Sequence, residues 1–425
     1  MPETIILGAG IIGLSTAYYL THSPSSTSSP NTTSDPHTIH LLDASPTLFA
    51  SASGYAGGFL AADWFSPPAA PLGALSFALH AQLAAAHAGR ESWGYSASTC
   101  ASVALGTQGG GSGERGDDWL RTGGSRGAGK GGVGGEVEVE GPAWLSPKGG
   151  YEVIGEEGTT AQVDPGRLCG WLLERCREKG VRVEFPARAV GVVRDGEGVM
   201  MGVRVRYGDG DREEGGREEV LRCDRLLIAA GAWSPRVFRT LFPEAKVKIP
   251  IEQLAGHSIV VRSPYLKEEE EKGCHAIFST SSAGFSPEVF SRVGGDIYVA
   301  GLNDSSLALP DKATEANISD DSIEQLKKVA RDMLVREGVD EAEAKELEVV
   351  REGLCFRPVT RKGTPILTQI ADGKLGGIKT KIEGGVFLAA GHGPWGISLS
   401  LGTGKVMAEM MERQPTSADV SGLGL

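Results

Sequence analysis

The sequence predicts an α/β fold in which a Rossmann-like nucleotide-binding domain is interleaved with an antiparallel-sheet α+β domain. Strand–turn–helix units near both ends of the 425-residue chain indicate the first domain, and β-like stretches between them indicate the second. A GxGxxG turn directly follows the first predicted strand. Because the two kinds of segment alternate along the chain, we expect each domain to be built from several separate segments.

The N-terminal elements are predicted from apolar runs and turn residues. Residues 4–7 should form a short buried strand, and residues 11–20 a helix that begins after the glycine turn. A second strand, 38–42, ends in Asp43. The segment 21–38 between them is mostly Ser, Thr, Pro and Asn, so we expect a surface loop.

The later elements are predicted from capping residues and periodicity. Asp164 should be an N-cap, with Pro165 at the first helical position and Gly180 just beyond the helix end. The remaining predicted elements are strands at 181–185, 225–230 and 386–390, helices at 318–337 and 397–413, and a loop at 208–219.

These elements divide the chain into domains. A segment at 106–135 holds fourteen glycines and is expected to be an inserted loop. The nucleotide-binding domain is predicted at 1–62, 161–248 and 354–413, the interleaved substrate domain at 63–160 and 249–353, and a tail at 414–425.

Composition argues against several other classes of protein. Lys and Arg number 42 against 54 Asp and Glu, and the net charge of −12 disfavours binding to nucleic acid or to an anionic membrane. No uncharged apolar run reaches the roughly 18 residues of a membrane span, and the start lacks the basic segment of a signal peptide. The six cysteines show no metal-ligand spacing, so we expect free thiols, no metal and a cytoplasmic location.

The glycine turn at 8–13 predicts a dinucleotide site. Its first glycine makes the turn, the second lets the backbone approach a pyrophosphate, and the third lets helix and strand pack closely. The phosphates would lie at the helix N-terminus, where free N–H groups favour negative charge. Asp43 ends the second strand, where a carboxylate can accept hydrogen bonds from both ribose hydroxyls. The predicted contacts are Gly8, Gly10, Ile11, Ile12, Gly13, Asp43 and Ala44.

Two further glycine-rich segments favour FAD over NAD as this dinucleotide. Residues 50–58 are mostly small and let backbone lie against a flat group. Residues 389–398 predict a strand, a turn and a second helix start. A second helix N-terminus directed at the cofactor can stabilise the negative charge that develops on a reduced flavin.

Six segments occur in the order seen in the D-amino-acid oxidase/glycine oxidase superfamily of FAD oxidoreductases. They are GAGIIG (8–13), SASGYAGG (51–58), QVDPGRL (162–168), AAGAWSP (229–235), FRPVTRKGTPIL (356–367) and AGHGPWGISLSLGTG (390–404). The chain resembles this superfamily from residue 4 to about residue 412. Its GFLAADW and GHGPWG segments are most similar to a fungal subgroup of FAD-dependent oxidoreductases.

The resemblance implies a GR2-type FAD-binding domain, and further cofactor contacts follow by position. They are Ser51, Ser53, Gly57, Gly58, Ala189, Ala230, Gly231, Trp233, Gly391, His392, Gly393, Trp395, Gly396, Ile397 and Ser398. Trp395 is either a lid on the flavin or part of the core. His392 is also a secondary catalytic candidate, with a purely backbone role as the alternative.

Arg357 is the principal candidate for binding substrate. It matches the arginine that holds the substrate carboxylate in this superfamily, and a guanidinium fork suits a planar carboxylate. This anchor would direct the substrate Cα–H at flavin N5. The alternative is a surface arginine or one paired with a structural Asp. Phe290 and Arg292 either face the substrate or serve as hairpin packing and a solvated charge. The tyrosines that orient substrate in relatives have no secure match.

Cys355 raises the question of how the flavin is attached. It occupies the position at which the sarcosine-oxidase and fructosyl-amino-acid-oxidase branches attach flavin through a thioether. The residues after it follow the non-covalent branch, so we expect non-covalent FAD and a buried structural cysteine. Covalent attachment through Cys355 is the alternative.

The resemblance implies an enzyme that oxidises the CH–NH bond of an amino acid or N-alkyl amino acid by hydride transfer to flavin N5. Dioxygen or a partner acceptor would then reoxidise the flavin. The alternative is a flavin-binding protein with an interaction or regulatory role, such as in trafficking, and little turnover. The loops at 21–38 and 106–135 would suit that role.

Overall fold

The computed structural model describes residues 2–23, 38–105, 141–146, 151–155, 158–208, 217–264, 266, 273–281, 285–335 and 347–425. The predicted glycine-rich insert lies outside these residues, as do most of the predicted loops at 21–38 and 208–219.

Eighteen strands and eight α-helices are present in this described part of the chain. The strands are β1 (Thr4–Leu7), β2 (Ile39–Leu42), β3 (Phe59–Ala61), β4 (Ser96–Leu105), β5 (Tyr151–Val153), β6 (Thr160–Gln162), β7 (Arg182–Glu184), β8 (Ala187–Arg194), β9 (Met200–Tyr207), β10 (Glu218–Arg222), β11 (Arg225–Ile228), β12 (Glu252–Arg262), β13 (Cys274–Ser281), β14 (Glu288–Ser291), β15 (Asp296–Asp304), β16 (Glu348–Val359), β17 (Ile366–Ile370) and β18 (Gly385–Ala390). The helices are α1 (Ile11–Thr21), α2 (Ala52–Tyr55), α3 (Ala70–Ala86), α4 (Gly89–Trp93), α5 (Pro165–Glu178), α6 (Ser234–Leu241), α7 (Asp320–Leu334) and α8 (Ser400–Met411).

The first sheet has six strands in the order β17-β18-β11-β1-β2-β7, and all neighbouring pairs are parallel except β17 with β18. The last residues of β1, β2 and β11 pair in register, Leu7 with both Leu42 and Ile228. The carboxyl ends of these strands therefore meet at one edge, where ligands bind in open α/β sheets. The predicted Rossmann-like α/β arrangement is confirmed.

Helix α1 lies on one face of this sheet and is almost fully buried. It packs between α8 and α5, and its close approach to α8 depends on Gly404, where a Cβ would lie 2.5 Å from the main chain of Ser15. The opposite face is covered by a three-stranded antiparallel sheet, β10-β9-β8, and by α6. Both faces of the parallel sheet are thus buried, which explains why its central strands β1, β2, β11 and β18 are fully buried and mostly apolar.

The second sheet has nine strands, eight of them in the order β16-β12-β15-β14-β13-β4-β6-β3, with β5 paired to β4. Its pairs are antiparallel except β4 with β13. Helix α7 covers the outer face through residues such as Ile323 and Leu326. The opposite face, called the inner face below, carries Phe290 and Tyr298. The antiparallel α+β unit is confirmed, and strands of the two sheets alternate along the chain.

Element boundaries differ from the predictions where local hydrogen bonds decide them. Asp164 is the N-cap expected for α5, since its Oδ1 accepts from the backbone N–H of Arg167 at 3.0 Å. Helix α7 begins only after Ser319, whose hydroxyl accepts from the N–H of Ser322 at 3.3 Å. Helix α8 begins at Ser400 rather than 397, because a 3₁₀ turn precedes it.

No helix in the described part of the chain could span a membrane. None of these helices combines the length and the apolar character that a bilayer span requires.

Candidate functional site

A cavity of about 340 Å³ lies between the carboxyl edge of the six-stranded sheet and the inner face of the nine-stranded sheet. It extends from Asp43 at the end of β2 to Arg357 on β16. Of the predicted cofactor residues, those that line it are Gly8, Gly10, Ile11, Ile12, Asp43, Ala44, Ser51, Ser53, Gly57, Gly58, Ala189, Ala230, Gly231, Trp233, His392, Gly393, Gly396 and Ile397.

The glycine turn forms one end of the cavity. Gly8 has φ +109°, and a Cβ there would lie 2.5 Å from the carbonyl oxygen of Ala229, so only glycine fits. Gly10 lies at the cavity wall, and a Cβ there would lie 2.9 Å from the hydroxyl oxygen of Ser53. Gly13 does not line the cavity, because it packs helix against strand: its Cβ would lie 2.0 Å from the Gly8 carbonyl oxygen.

Two side chains hold this end in place. The Asp43 carboxylate accepts hydrogen bonds from the N–H groups of Ala9 and Ser45, both at 2.9 Å. Burial raises the pKa of Asp43, against the lowering effect of these two bonds. The Ser53 hydroxyl accepts from the N–H of Ile11 at 2.9 Å, so it caps the first turn of α1 beside the cavity.

The segment 51–58 forms a wall that is fixed from the nine-stranded sheet. Gln162 donates to the Gly57 carbonyl at 2.6 Å, and Arg292 donates to the carbonyls of residues 56 and 57 at 2.9 and 3.1 Å. Arg351 donates to the carbonyl of residue 54 at 2.8 Å. These bonds hold the backbone of this segment, including the turn of α2, against the inner face.

Phe290 and Arg292 serve packing and positioning in the described structure. Phe290 is fully buried, and its ring lies where a Cβ on Gly57 would be only 2.7 Å away. The Arg292 guanidinium lies 3.5 Å from Asp164 and over the ring of Tyr298. Burial lowers the pKa of Arg292. Neither residue lines the cavity, so packing is the correct alternative for Phe290. The expected solvated charge is wrong for Arg292, because its side chain is buried and bonded to the segment 51–58.

The turn 391–398 forms a third wall of the cavity. Three of its predicted cofactor residues do not line the cavity but pack behind this wall. Gly391 has φ +86° and approaches Thr360. Trp395 packs against Phe59, Trp64 and Phe65, so it belongs to the core rather than to a lid. Ser398 accepts a hydrogen bond from the N–H of residue 61 at 3.0 Å. These residues shape the turn without lining the cavity.

His392 lines the cavity as a neutral imidazole. Its Nε2 lies 3.0 Å from the hydroxyl of Thr403 in α8. Burial lowers its pKa to about 3. A weak base already held by a neighbour is poorly suited to accept a proton near neutral pH.

Arg357 lies at the other end of the cavity, on β16 near Cys355. Its Nη1 donates to Oδ1 of Asn303. Gly256 on β12 provides the space, because a Cβ there would lie 2.3 Å from this Nη1. Burial opposes the charge on Arg357, but Cys355, Tyr298 and the carboxylate of Glu288 together raise its pKa. The cavity therefore ends in a charged guanidinium.

Sequence reasoning missed several lining residues. Glu288, Tyr298 and Asn303 face the cavity from β14 and β15 beside Arg357. The available signal was a lone acid in the otherwise apolar strand EVFS. The strap 309–313 was also missed; its Asp311 pairs with Arg188 and Arg236 across the opposite wall.

The donor set fits FAD. A glycine cradle and the start of α1 suit a pyrophosphate, and a carboxylate at the end of β2 suits a ribose. Small residues along 51–58 leave a flat wall for a ring system. Arg357 remains beyond that wall for a second, anionic ligand.

The chain was compared with known families and proteins. Residues 3–410 match the family described as FAD dependent oxidoreductase. An oxidoreductase of Schizosaccharomyces pombe, whose name states no substrate, is 27% identical over 433 residues, which cover 98% of this chain and 96% of that protein. D-amino acid dehydrogenase 2 of Pseudomonas aeruginosa is 24% identical over 257 residues, which cover 60% of this chain and 50% of that protein.

Solved structures resemble the whole fold. Glycine oxidase from Geobacillus kaustophilus superposes with a TM-score of 0.68 at 20% identity and covers 100% of this chain and 99% of its own. L-proline dehydrogenase from P. horikoshii gives a TM-score of 0.67 at 13% identity, with 100% and 96% covered. At these identities the likeness shows the fold.

Proposed function

Because the chain belongs to the family of FAD-dependent oxidoreductases, we propose that it oxidises the CH–NH bond of an amino acid or N-alkyl amino acid. The family membership confirms the predicted resemblance and makes the protein a flavin-dependent enzyme. When bound, FAD supplies the acceptor for the two electrons and the hydrogen that leave the substrate, at flavin N5. Dioxygen or another acceptor then reoxidises it.

One observation carries the substrate assignment. A charged arginine lies at one end of a cavity whose other end holds the glycine turn and Asp43. A guanidinium fork binds a carboxylate in a defined plane, so Arg357 would fix the substrate at two atoms and orient its Cα–H. Relatives whose names include amino-acid oxidation support the same substrate class.

The other residues of the cavity hold the cofactor. The N–H groups at the start of α1 and the Asp43 carboxylate hold the dinucleotide. Gly57 and Gly58 have no room for a Cβ against Phe290 and the Val163 carbonyl, so they let the backbone beside the ring lie close to the nine-stranded sheet. His392 lines the cavity as a neutral imidazole and brings no charge to its wall. We propose that FAD is held by these contacts without a covalent bond, and that Cys355, which lines the cavity, stays a free thiol.

Two measurements on purified protein test the proposal. The visible flavin spectrum, repeated on the supernatant after acid precipitation, should show colour released from the protein; colour retained in the pellet would contradict non-covalent FAD. Anaerobic mixing with a panel of D-, L- and N-methyl amino acids should then bleach the flavin band. Bound flavin that no member of the panel reduces would favour the interaction role instead.

A further inference from the structure

Asn303 holds the Arg357 guanidinium from the far side of a neighbouring strand. Asn303 belongs to β15 and Arg357 to β16, and β12 lies between these two strands. On β12, Gly256 pairs with Asn303 on one side and with Cys355 on the other. The Arg357 side chain crosses β12 at Gly256, where a Cβ would have no room, and its Nη1 donates to Oδ1 of Asn303.

The chemistry of the two groups fixes the orientation of the Asn303 amide. A guanidinium has five N–H donors and no acceptor, so the amide atom that faces Nη1 must be the carbonyl oxygen. The side chains of both residues line the cavity. Their hydrogen bond uses one donor of the guanidinium and leaves further N–H groups of Arg357 for a ligand in the cavity.

Asn303 is a neutral acceptor at a position where an acid of the same shape would fit. The next residue along β15 is an acid, Asp304, but it does not line the cavity. Its carboxylate accepts from the N–H and the hydroxyl of Ser306 at 2.7 and 2.6 Å. Because successive residues of a strand point to opposite faces, β15 presents the amide to the cavity and the carboxylate away from it.

An acid at position 303 would change the charge that Arg357 offers to a ligand. The charges of an Asp–Arg pair cancel, so a substrate carboxylate would have to displace the acid or bind beside it. The carboxylate of Glu288 already acts on Arg357 at this end of the cavity, where Tyr298 also lies. A second acid would therefore outnumber the guanidinium, whereas an amide holds it without adding charge.

We propose that Asn303 is a positioning residue that makes the site selective for carboxylates: it fixes the Arg357 guanidinium across β12 and leaves its charge for the substrate. This role rests on the proposed amino-acid oxidation and deepens it, because it identifies what keeps Arg357 selective for an anion. A purely structural tie would be preserved or strengthened by Asn303→Asp, since an acid binds a guanidinium more strongly than an amide does. The proposed role would be lost.

Ligand binding to the holoenzyme tests the proposal without turnover. The probes are 2-aminoisobutyrate, which has no Cα–H to lose, and 2-aminoisobutyramide, in which a neutral amide replaces the carboxylate. Titration calorimetry on the wild-type protein should show tighter binding of the carboxylate. Asn303→Asp should weaken 2-aminoisobutyrate binding at least about tenfold and leave 2-aminoisobutyramide binding equal or tighter. Unchanged binding of the carboxylate, or equal losses for the two probes, would overturn the proposal.

Asn317→Asp is the matched control for that substitution. It makes the same change at an exposed position outside the cavity, so it should bind both probes like the wild type. Equal losses of carboxylate binding in the two aspartate variants would mean that the added charge acts at long range, and would contradict the role of Asn303.

A double-mutant cycle tests whether Asn303 acts through Arg357, with a variant that adds no charge. Asn303→Ala should lower kcat/KM for anaerobic flavin reduction about tenfold, the loss expected for one hydrogen bond to a charged group. In an Arg357→Met background the same substitution should change kcat/KM less than about twofold, because the group that Asn303 positions is gone. Equal effects in both backgrounds would contradict the positioning role.

The outcomes separate the two levels of the account. A wild-type protein that binds both probes equally, or whose flavin no amino acid reduces, contradicts the proposed function. Wild-type flavin that amino acids reduce, together with unchanged carboxylate binding in Asn303→Asp, contradicts only the role of Asn303.

Discussion

At the scale of single residues, the site depends on where a side chain is missing as much as on where one is present. Arg357 lies across Gly256 on the neighbouring strand, at a distance that leaves no room for a Cβ. The guanidinium is the flexible end of a long side chain, so it would move rather than the sheet. Gly256, which has no side chain, thereby sets the position of Arg357, the proposed substrate anchor.

Gly256→Ala should therefore reduce activity more than stability. The new methyl group would displace the Arg357 guanidinium, and a shift of about 1 Å in a positioning group can cost about 100-fold in kcat/KM. FAD content and the melting temperature should stay close to those of the wild type. The measurement is steady-state kinetics with the best amino acid of the panel.

Gly170→Ala is the control for that substitution. Gly170 lies within α5, and a Cβ there meets nothing within 4 Å. Alanine in a helix interior should stabilise the protein by up to about 1 kcal/mol and leave kcat/KM unchanged. Equal kinetics for both alanine variants would contradict the role assigned to Gly256.

At the scale of elements, the wall 51–58 contains the single turn of α2 and is held by hydrogen bonds from the sheet beneath it. Arg292 supplies two of its hydrogen bonds and also faces Asp164, the N-cap of α5. One buried guanidinium thus links the wall, a helix start and the nine-stranded sheet.

Arg292→Met should destabilise the protein and loosen the wall. The substitution removes the donor of the residue 56 carbonyl, one of two donors to the Gly57 carbonyl and the charge that faces Asp164, and the loss of one partner from a buried charged network costs about 3–5 kcal/mol. Chemical unfolding should report this loss, and FAD should dissociate more readily. Arg262→Met, which removes an exposed arginine of the same sheet paired with Asp296 and Glu348, should cost less than about 1 kcal/mol. Similar losses for both variants would argue against the linking role.

The elements also show what the sequence could predict. The glycine turn is a pattern of consecutive residues, Asp43 directly follows an apolar strand, and the cap at Asp164 acts on Arg167 three residues along, so these local patterns identified the parallel sheet and α5. The parallel pairing of β4 with β13 joins residues about 175 positions apart and has no local signal. Glu288, Tyr298 and Asn303 reach the same end of the cavity as Arg357 only when β14, β15, β12 and β16 pair in this order across the sheet. The end of the cavity around Arg357 was therefore only partly predictable from the sequence.

At the scale of the whole molecule, the two sheets enclose ionisable groups whose charge state is linked to folding. His80 and His392 are buried, and burial lowers their pKa values to about 4 and about 3 from the ordinary 6.5. Between each lowered pKa and the ordinary value of 6.5, the imidazole is protonated in the unfolded chain and neutral in the folded chain. The free energy of unfolding must therefore decrease as the pH falls through this window.

Denaturant unfolding at pH 7 and pH 5 should reveal this linkage. Each imidazole contributes up to about 1.4 kcal/mol per unit of pH, and the contribution is complete above the ordinary histidine pKa. A variant with both His80→Gln and His392→Gln should lose less stability than the wild type between the two pH values. Equal losses would mean that these histidines are not buried in the neutral form.

The central claim is that Arg357 holds an amino acid for oxidation by bound flavin, and anaerobic flavin reduction tests it most directly. Arg357→Met should lower kcat/KM for reduction about 10- to 100-fold, as expected from the loss of charge-assisted hydrogen bonds. Arg361→Met, four residues along and exposed, should reduce its flavin like the wild type. The account predicts this difference, whereas equal rates of reduction in the two variants would contradict it.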